Sequence, residues 1–386
     1  MIFYFLLAPV IAACVYWLAT SVCMAIFFKG WGLSGFGLHA QRADTPSPAT
    51  HPLVSLIKPV CGLEKNLYEN LVTACNQDYP NYEVIYSLQN KNDPALKILE
   101  KIRSENSNKK ILIVVDETAV GPNGRLCNIY NASQKSSGEI FVFSDSDMFL
   151  EKDYLQNIIA PFEDQKVGVS CTLFKAWKAN NIPESLELLS FNADFVPSIV
   201  FAYVTKASIA CPGGSQAIRR DVLEKIGGLK PLANYLVEDF ELGQRVLKTG
   251  FKIHFAPYVA ATGVDLKSFK DWWRHQVYWD QNTRAANPVG FFFTWIIRGI
   301  PFACLYTLLA GPQAAAVFAV TLGTRITTTI INSLFLKDTD GIKAVWLLPF
   351  RDLLGIFVWF ASFVKRKTYW KGRQFIIQKG KMVEVS

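Results

Sequence analysis

Residues 3–28, FYFLLAPVIAACVYWLATSVCMAIFF, carry no charged side chain, and the rest of the chain has to accommodate that run. The hydrocarbon core of a bilayer takes ~20 apolar helical residues, so the segment is long enough to cross it. It has no basic leader and is too long for the apolar stretch of a cleaved signal, which predicts a retained anchor. Lys29 and Arg42 follow it and put its exit on the cytoplasmic side, where short loops rich in Lys and Arg remain.

A second apolar block runs from Phe291 to about Val364 and divides into 291–311, 313–336 and 344–364. Arg298 and Pro301 interrupt the first piece, and Arg325 lies inside the second. Lys365, Arg366 and Lys367 close the third, with Lys371 and Arg373 beyond. If the middle of the chain and this basic tail are both cytoplasmic, an even number of crossings separates them. Arg298, at the centre of its segment, is the costly cation to bury. The expectation is therefore that 291–311 lies along the interface while 313–336 and 344–364 span. The domain order that follows is an anchor at 1–29, a cytoplasmic domain at 30–285, interfacial and transmembrane helices at 286–364, and a basic cytoplasmic tail at 365–386. A composition of 51% hydrophobic residues, with 28 Phe, suits an integral membrane protein. The eight cysteines, at 14, 23, 61, 75, 127, 171, 211 and 304, show neither CxxC spacing nor a secreted disulfide framework. They read as buried thiols.

Between the two apolar regions, short strands alternate with helices. LVSLIKPV (53–60), YEVIYSLQN (82–90), ILIVVD (111–116) and EIFVFSD (139–145) read as strands. DPALKILEKIRSEN (93–106) and a segment near 125–136 read as helices, the first opened by Asp93-Pro94. This alternation predicts βαβ units and a mostly parallel, Rossmann-like α/β sheet, whose ligands bind outside the carboxyl ends of the strands. Asp93 and the pair Asp145 and Asp147 lie just past strand ends and are expected in one crevice. No GxGxxG follows the first strand and no GxxxxGK[ST] occurs, which speaks against a dinucleotide dehydrogenase and a P-loop ATPase.

Asp145 and Asp147 stand one residue apart in FVFSDSDMFL. Carboxylates so close raise each other's pKa and together suit a hard divalent cation, although such pairs also cap helices. YLVEDFELGQRVLKTG (235–250) opens a helix with Glu238 and Asp239, which are also ordinary partners of a helix dipole. CPGGSQAIRRDVLEKIGG (211–228) sets Gly213 and Gly214 before a strand, as where backbone approaches a ligand. DWWRHQVYWDQNTR (271–284) is dense in aromatic and cationic residues and by composition also suits an interfacial helix.

Taken together, VSLIKPVCGLEKNLYENL, QDYPNYEVIYSLQNKNDPA, CPGGSQAIRRDVL and NYLVEDFELG, in this order and spacing, resemble the ceramide glucosyltransferases. These are membrane-bound GT-A enzymes with the processive-type signature. The resemblance implies a GT-A nucleotide-sugar transferase domain between an N-terminal anchor and C-terminal membrane helices. It further implies that Asp93 contacts the uridine, that Asp145 and Asp147 hold a metal–diphosphate with Mg2+ or Mn2+, and that Asp239 is the general base, with Glu238 beside the donor. Arg125, in GPNGRLCN, falls where the family has a lysine near the nucleotide. The family's (Q/R)xxRW motif reads HQVYW here: His275 stands at the Gln/Arg position, Tyr278 at the Arg position and Trp279 at the tryptophan. Arg274 or Arg284 would then supply the missing cation, and Gly213 and Gly214 would line the donor–acceptor site.

The activity implied is inverting transfer of a sugar, glucose first, from a UDP-sugar to the hydroxyl of a membrane lipid such as ceramide. Rival readings within the same fold take UDP-N-acetylglucosamine as donor, or a hopanoid, diacylglycerol or polyprenyl lipid as acceptor. A processive polysaccharide synthase would need more spans, and a non-catalytic transporter or adaptor would not need the aspartates. The net charge of +8 suits a diphosphate donor and an anionic leaflet, and is too dispersed for nucleic acid.

Overall fold

The computed structural model describes residues 2–30, 51–209, 211–364, 367–370, 373–378 and 380–384; Arg42, Lys365, Arg366 and Lys371 fall outside them. The chain divides into two compact units. One comprises Arg42–Phe174, Ile209–Asp265 and Tyr369–Ser386, the other Met1–Gln41, Lys175–Ser208 and Leu266–Thr368. This grouping differs from the division expected from sequence: Lys175–Ser208 joins the helices of the apolar blocks, and the C-terminal tail joins the sheet.

The first unit is built on eight strands: β1 Val54–Pro59, β2 Tyr82–Leu88, β3 Ile111–Val115, β4 Ile140–Ser144, β5 Met148–Phe149, β6 Val167–Trp177, β7 Ser215–Arg219 and β8 Lys252–Gly263. Their spatial order is β3-β2-β1-β4-β7-β6-β8-β5. β3, β2, β1 and β4 run parallel, as the alternating pattern predicts, while β7 enters antiparallel beside β4 and β6. β1 and β4 are buried along their whole length, which is why they read as continuous apolar runs rather than alternating ones. Between β2 and β3, helix Ala95–Glu105 lays Ala95, Leu99 and Ile102 on the core and leaves Lys97, Glu100 and Lys101 in solvent. The order reverses at β1, with β2 and β3 to one side and β4 to the other. In sheets of this kind the ligand site lies beyond the carboxyl ends of the strands where the order reverses, here those of β1 and β4.

Among the described residues, the second unit holds four helices long and apolar enough to cross a membrane: Phe3–Lys29, Ile182–Thr205, Pro312–Phe335 and Thr339–Val364. A pair, Pro288–Ile297 and Gly299–Ala310, bends by 41° between its halves. The protein is thus a membrane protein with an apolar N-terminal helix. Ile182–Thr205 has a mean hydropathy of 1.4, yet Glu184, Glu187 and Asp194 within it set it apart from the uncharged N-terminal run. β6 before this segment and β7 after it pair with each other, Val169 opposite Ile218. The Leu236 N–H donates to the Gly380 carbonyl at 3.0 Å, which ties the C-terminal tail to the sheet unit.

Within this unit, Ala13, Trp17 and Ile300 form a buried cluster. A Cβ at Gly299 would approach the Ala13 methyl to 2.7 Å, close helix contact of the kind small residues permit in lipid. Arg325 donates to Asp194 at 2.7 Å and Asp352 at 2.8 Å, and Arg351 donates to Asp352 at 2.7 Å and also pairs with Asp194. Two cations and two anions cancel, which makes their burial tolerable. Arg298 has Asp280 at 3.6 Å. All three arginines of the C-terminal block, Arg298, Arg325 and Arg351, are therefore paired, so charge alone does not rank their segments.

Candidate active site

The chain makes a tight reversal at the end of β4. The Met148 N–H donates to the Asp145 carbonyl at 3.2 Å, and β5 then pairs antiparallel with β8. Asp145 and Asp147 sit within this turn, with the buried Ser146 hydroxyl between them donating to Glu64 Oε2 at 2.7 Å. Asp147 Oδ2 accepts from the Thr262 hydroxyl at 3.0 Å, and its carbonyl accepts from the Gly263 N–H at 3.2 Å.

Beneath the turn lies Lys58 of β1, fully buried. Its ammonium faces the Asp145 carbonyl at 2.8 Å, the Met148 carbonyl at 3.1 Å and the Ser144 hydroxyl at 3.3 Å. Those three acceptors match its three protons. Burial lowers the Lys58 pKa to about 8 against the opposing pull of Asp147, Asp145 and Glu64. Burial, followed by repulsion from Asp145 and Glu64, raises Asp147 to about 7. Hard carboxylate oxygens with excess proton affinity, backed by a lysine that bonds to main-chain oxygens instead, fit a divalent cation. Among the described residues no group of three His, Cys, Asp or Glu side chains is placed to hold an ion. A cation here would complete its shell from a ligand's oxygens and water, as Mg2+ commonly does.

Arg125, on helix Gly124–Ser133, ties this turn to the Glu-Asp pair. Its Nε donates to Asp145 Oδ1, one terminal nitrogen to Glu238 Oε1 and the other to the Gly213 carbonyl, each at 2.6 Å. Those anions hold its pKa above the ordinary arginine range despite burial. Asn123 caps the same helix through the Leu126 N–H and donates to Glu238 Oε2 at 2.9 Å. Glu238 and Asp239 begin helix Glu238–Lys248 after Val237, a capping position without a side-chain hydrogen bond.

Asp239 Oδ2 accepts from the Gly213 N–H at 2.6 Å and Oδ1 from the Phe240 N–H at 2.7 Å. Each oxygen keeps lone-pair capacity for a proton. Burial and the neighbouring Glu238 raise the Asp239 pKa to about 7, outweighing Arg125 and the two N–H donors. A Cβ at Gly213 would meet Asp239 Oδ2 at 2.8 Å, and one at Gly214 would meet the Phe174 ring at 3.1 Å. Asp93 lies past β2, where Oδ2 accepts from the Gly62 N–H at 2.8 Å and Oδ1 from the Ala95 N–H at 2.9 Å. It thereby binds the loops after β1 and β2 together.

The remaining candidates belong to the other unit, on helix Phe269–Ala286, whose N-terminus Ser268 caps through the Asp271 N–H. The Trp279 indole N–H donates to His275 Nε2 at 3.2 Å, and His275 Nδ1 lies 2.9 Å from Glu187 Oε1. An indole only donates, so the hydrogen-bond network assigns the imidazole proton to Nδ1, facing the carboxylate. Gln276 donates to the other Glu187 oxygen at 2.7 Å. Phe191 and Phe195 meet Trp279 edge-on at 5.9 and 5.4 Å. Tyr278 is half-buried on the same helix, and Arg284 stacks over Phe363 at 5.1 Å.

Direct bonds thus join Arg125, Asp145, Gly213, Glu238 and Asp239, with Asp147 in the same turn as Asp145. His275 and Trp279 form a second cluster around Glu187. Lys58, Glu64, Asn123, Thr262 and Glu187 escape sequence reasoning. Only Lys58 leaves a signal there, as a lone cation inside an apolar strand.

The model described as glycosyl transferase family 21 matches residues 8–383. Ceramide glucosyltransferase 1 of Caenorhabditis elegans is 21% identical over 389 residues, covering 95% of this chain and 80% of the relative. Ceramide glucosyltransferase 3 of the same organism is 22% identical over 237 residues, covering 60% of this chain and 50% of its own length. Among solved structures, a mannosyltransferase from Pyrobaculum calidifontis in complex with GDP-Man and Mn2+ shares 18% identity over 93% of this chain and 98% of its own, with a TM-score of 0.53. With the strand order above, that likeness gives the sheet unit a GT-A fold.

Proposed function

The chain belongs to glycosyl transferase family 21 and is a sugar-transferring enzyme, and from that premise we propose that it moves a hexose, glucose first, from a UDP-sugar to the hydroxyl of a ceramide-like membrane lipid. The single observation that carries this reading is Arg125, which bridges Asp145 and Glu238 at 2.6 Å on each side. Through it the acidic turn after β4 and the Glu-Asp helix form one constellation.

In the proposed reaction the lipid hydroxyl oxygen attacks the anomeric carbon, the bond from that carbon to the UDP oxygen breaks with inversion, and the hydroxyl proton passes to Asp239. A pKa near 7 suits a general base that takes up a proton at neutral pH. The Gly213 and Phe240 N–H groups fix the carboxylate that receives it. Asp145 and Asp147 would hold Mg2+ or Mn2+, which supplies positive charge to the departing diphosphate. The Mn2+ in the complex of the similar mannosyltransferase supports a divalent ion here. Asp93, fixed at the ends of β1 and β2, would meet the uridine, and the aromatic cluster of His275, Tyr278 and Trp279, with Arg284, would serve the sugar and acceptor.

The proposed arrangement has Phe3–Lys29 as anchor, two crossings at Pro312–Phe335 and Thr339–Val364, and the bent pair Pro288–Ala310 returning to the side it leaves. The sheet unit would face the cytoplasm, as Lys29 at the exit of the anchor suggests. Names of two relatives in the family support ceramide as acceptor. The HQVYW sequence keeps hopanoid, diacylglycerol and polyprenyl acceptors, and UDP-N-acetylglucosamine, as the second reading.

The test is transfer from radiolabelled UDP-glucose and UDP-N-acetylglucosamine to a panel of these lipids, with wild type and Asp147→Ala. Glucosylceramide as main product, and loss of metal-dependent UDP binding in the variant, are expected. No glycolipid from any pair, or metal-dependent binding that survives the substitution, would remove the reading.

A further inference from the structure

The C-terminal tail does not behave as a basic appendage. Within the sheet unit, strands Arg373–Gln378 and Lys381–Glu384 pair antiparallel, Phe375 opposite Glu384 and Gln378 opposite Lys381. Phe375 is fully buried and Met382 nearly so, a burial that anchors a short hairpin otherwise marginal in water.

Its outer strand docks where Glu238 and Asp239 begin. Lys381 forms an antiparallel bridge with Tyr235, and the Leu236 N–H donates to the Gly380 carbonyl at 3.0 Å. The Lys381 ammonium lies 5.5 Å from the centre of the Tyr235 ring, with Arg245 at 6.0 Å. On the inner side, Asn123 donates to the Tyr235 carbonyl at 3.1 Å as well as to Glu238. Met382, Val383 and Glu384 line a recess with Ala119, Gly121 and Pro122, the loop that leads to Asn123.

Residues 235–237 are therefore held between Asn123 and the tail, and they lead into a helix that no side chain caps. A helix N-terminus usually draws on a capping side chain to fix its entry. Here the hairpin supplies that constraint from the far end of the chain. The geometry points to a positioning role: the terminal hairpin, through Lys381 and the Gly380 carbonyl, fixes Tyr235–Val237 so that Asp239 stays in register with Gly213 and Arg125. The inference rests on the role of Asp239 proposed above.

The test compares the 386-residue enzyme with a chain ending at Gln378 and with Lys381→Ala and Lys381→Arg. For the truncated chain, kcat should fall more than about tenfold while UDP affinity stays within about twofold. Lys381→Ala should lower kcat less, and Lys381→Arg, which keeps a cation over the ring, should restore it. Wild-type kcat in the truncated chain would overturn the inference. So would loss of UDP binding in parallel with turnover, because the tail would then merely support the fold.

Amide hydrogen exchange separates a failure here from a failure of the proposed reaction. Exchange at Leu236 and through the first turn of Glu238–Lys248 should quicken in the truncated chain whatever the substrates are. Unchanged protection there would overturn the positioning role even with the reaction unassigned.

Discussion

The Gly213 N–H and the Asp239 carboxylate meet at 2.6 Å, and a methyl group on residue 213 would come within 2.8 Å of the same oxygen. Backbone and carboxylate leave no room for a side chain between them, so Gly213 sets the approach of Asp239. Gly213→Ala is expected to push the carboxylate aside without disturbing the strand that follows. A displacement approaching 1 Å at a reacting group costs about 10²-fold in rate. Transfer assays should show kcat down by about that factor and calorimetry should show UDP binding little changed. A variant with wild-type turnover would show that Asp239 does not depend on this contact.

Asp239 also has a pH signature. Its pKa stands near 7, above the ordinary carboxylate value, because burial and Glu238 outweigh its donors. A base must be ionised to act, so kcat/KM should fall as pH drops through about 7. The stability effect runs the other way. The folded state binds the proton more tightly than the unfolded state, so this group's contribution is complete below the ordinary carboxylate pKa and is lost as pH rises through about 7. Asp239→Asn should therefore melt above wild type at pH 8 and level with it at pH 4. It should still bind UDP while transfer falls by about 10²–10⁴-fold.

Much of this arrangement is legible in the chain because its signals are local. The four parallel strands appear as apolar runs, and Asp93, Asp145 and Asp239 appear as acids at element ends. Ile182–Thr205 is less plain than the uncharged N-terminal run because it carries acids whose partners are distant. Glu187 bonds His275 and Gln276, and Asp194 pairs with two arginines, contacts more than 80 residues away. The tail reads as a basic extension for a related reason. Its docking depends on a backbone bridge to Tyr235, which lies nearly 150 residues earlier and which no side-chain pattern announces.

Lys58 shows how a signal can be present and still not decode. Inside VSLIKP it reads as an interruption of a buried strand, whereas in the fold it is the donor that holds the turn carrying both aspartates. Lys58→Met would keep the length of the side chain and remove the donor. The Asp145 and Met148 carbonyls and the Ser144 hydroxyl would then have no ammonium to bond. Each buried acceptor left unpaired costs about 1–3 kcal/mol, so the variant should unfold at clearly lower denaturant concentration. The turn would lose its floor, and Asp145 and Asp147 their spacing, so metal-dependent UDP binding should weaken while metal-independent binding changes little. Denaturant titration and calorimetry with and without Mn2+ check the two parts separately. If Lys58→Met lowered stability but left the metal dependence of UDP binding intact, the lysine would support the core without shaping the acidic turn.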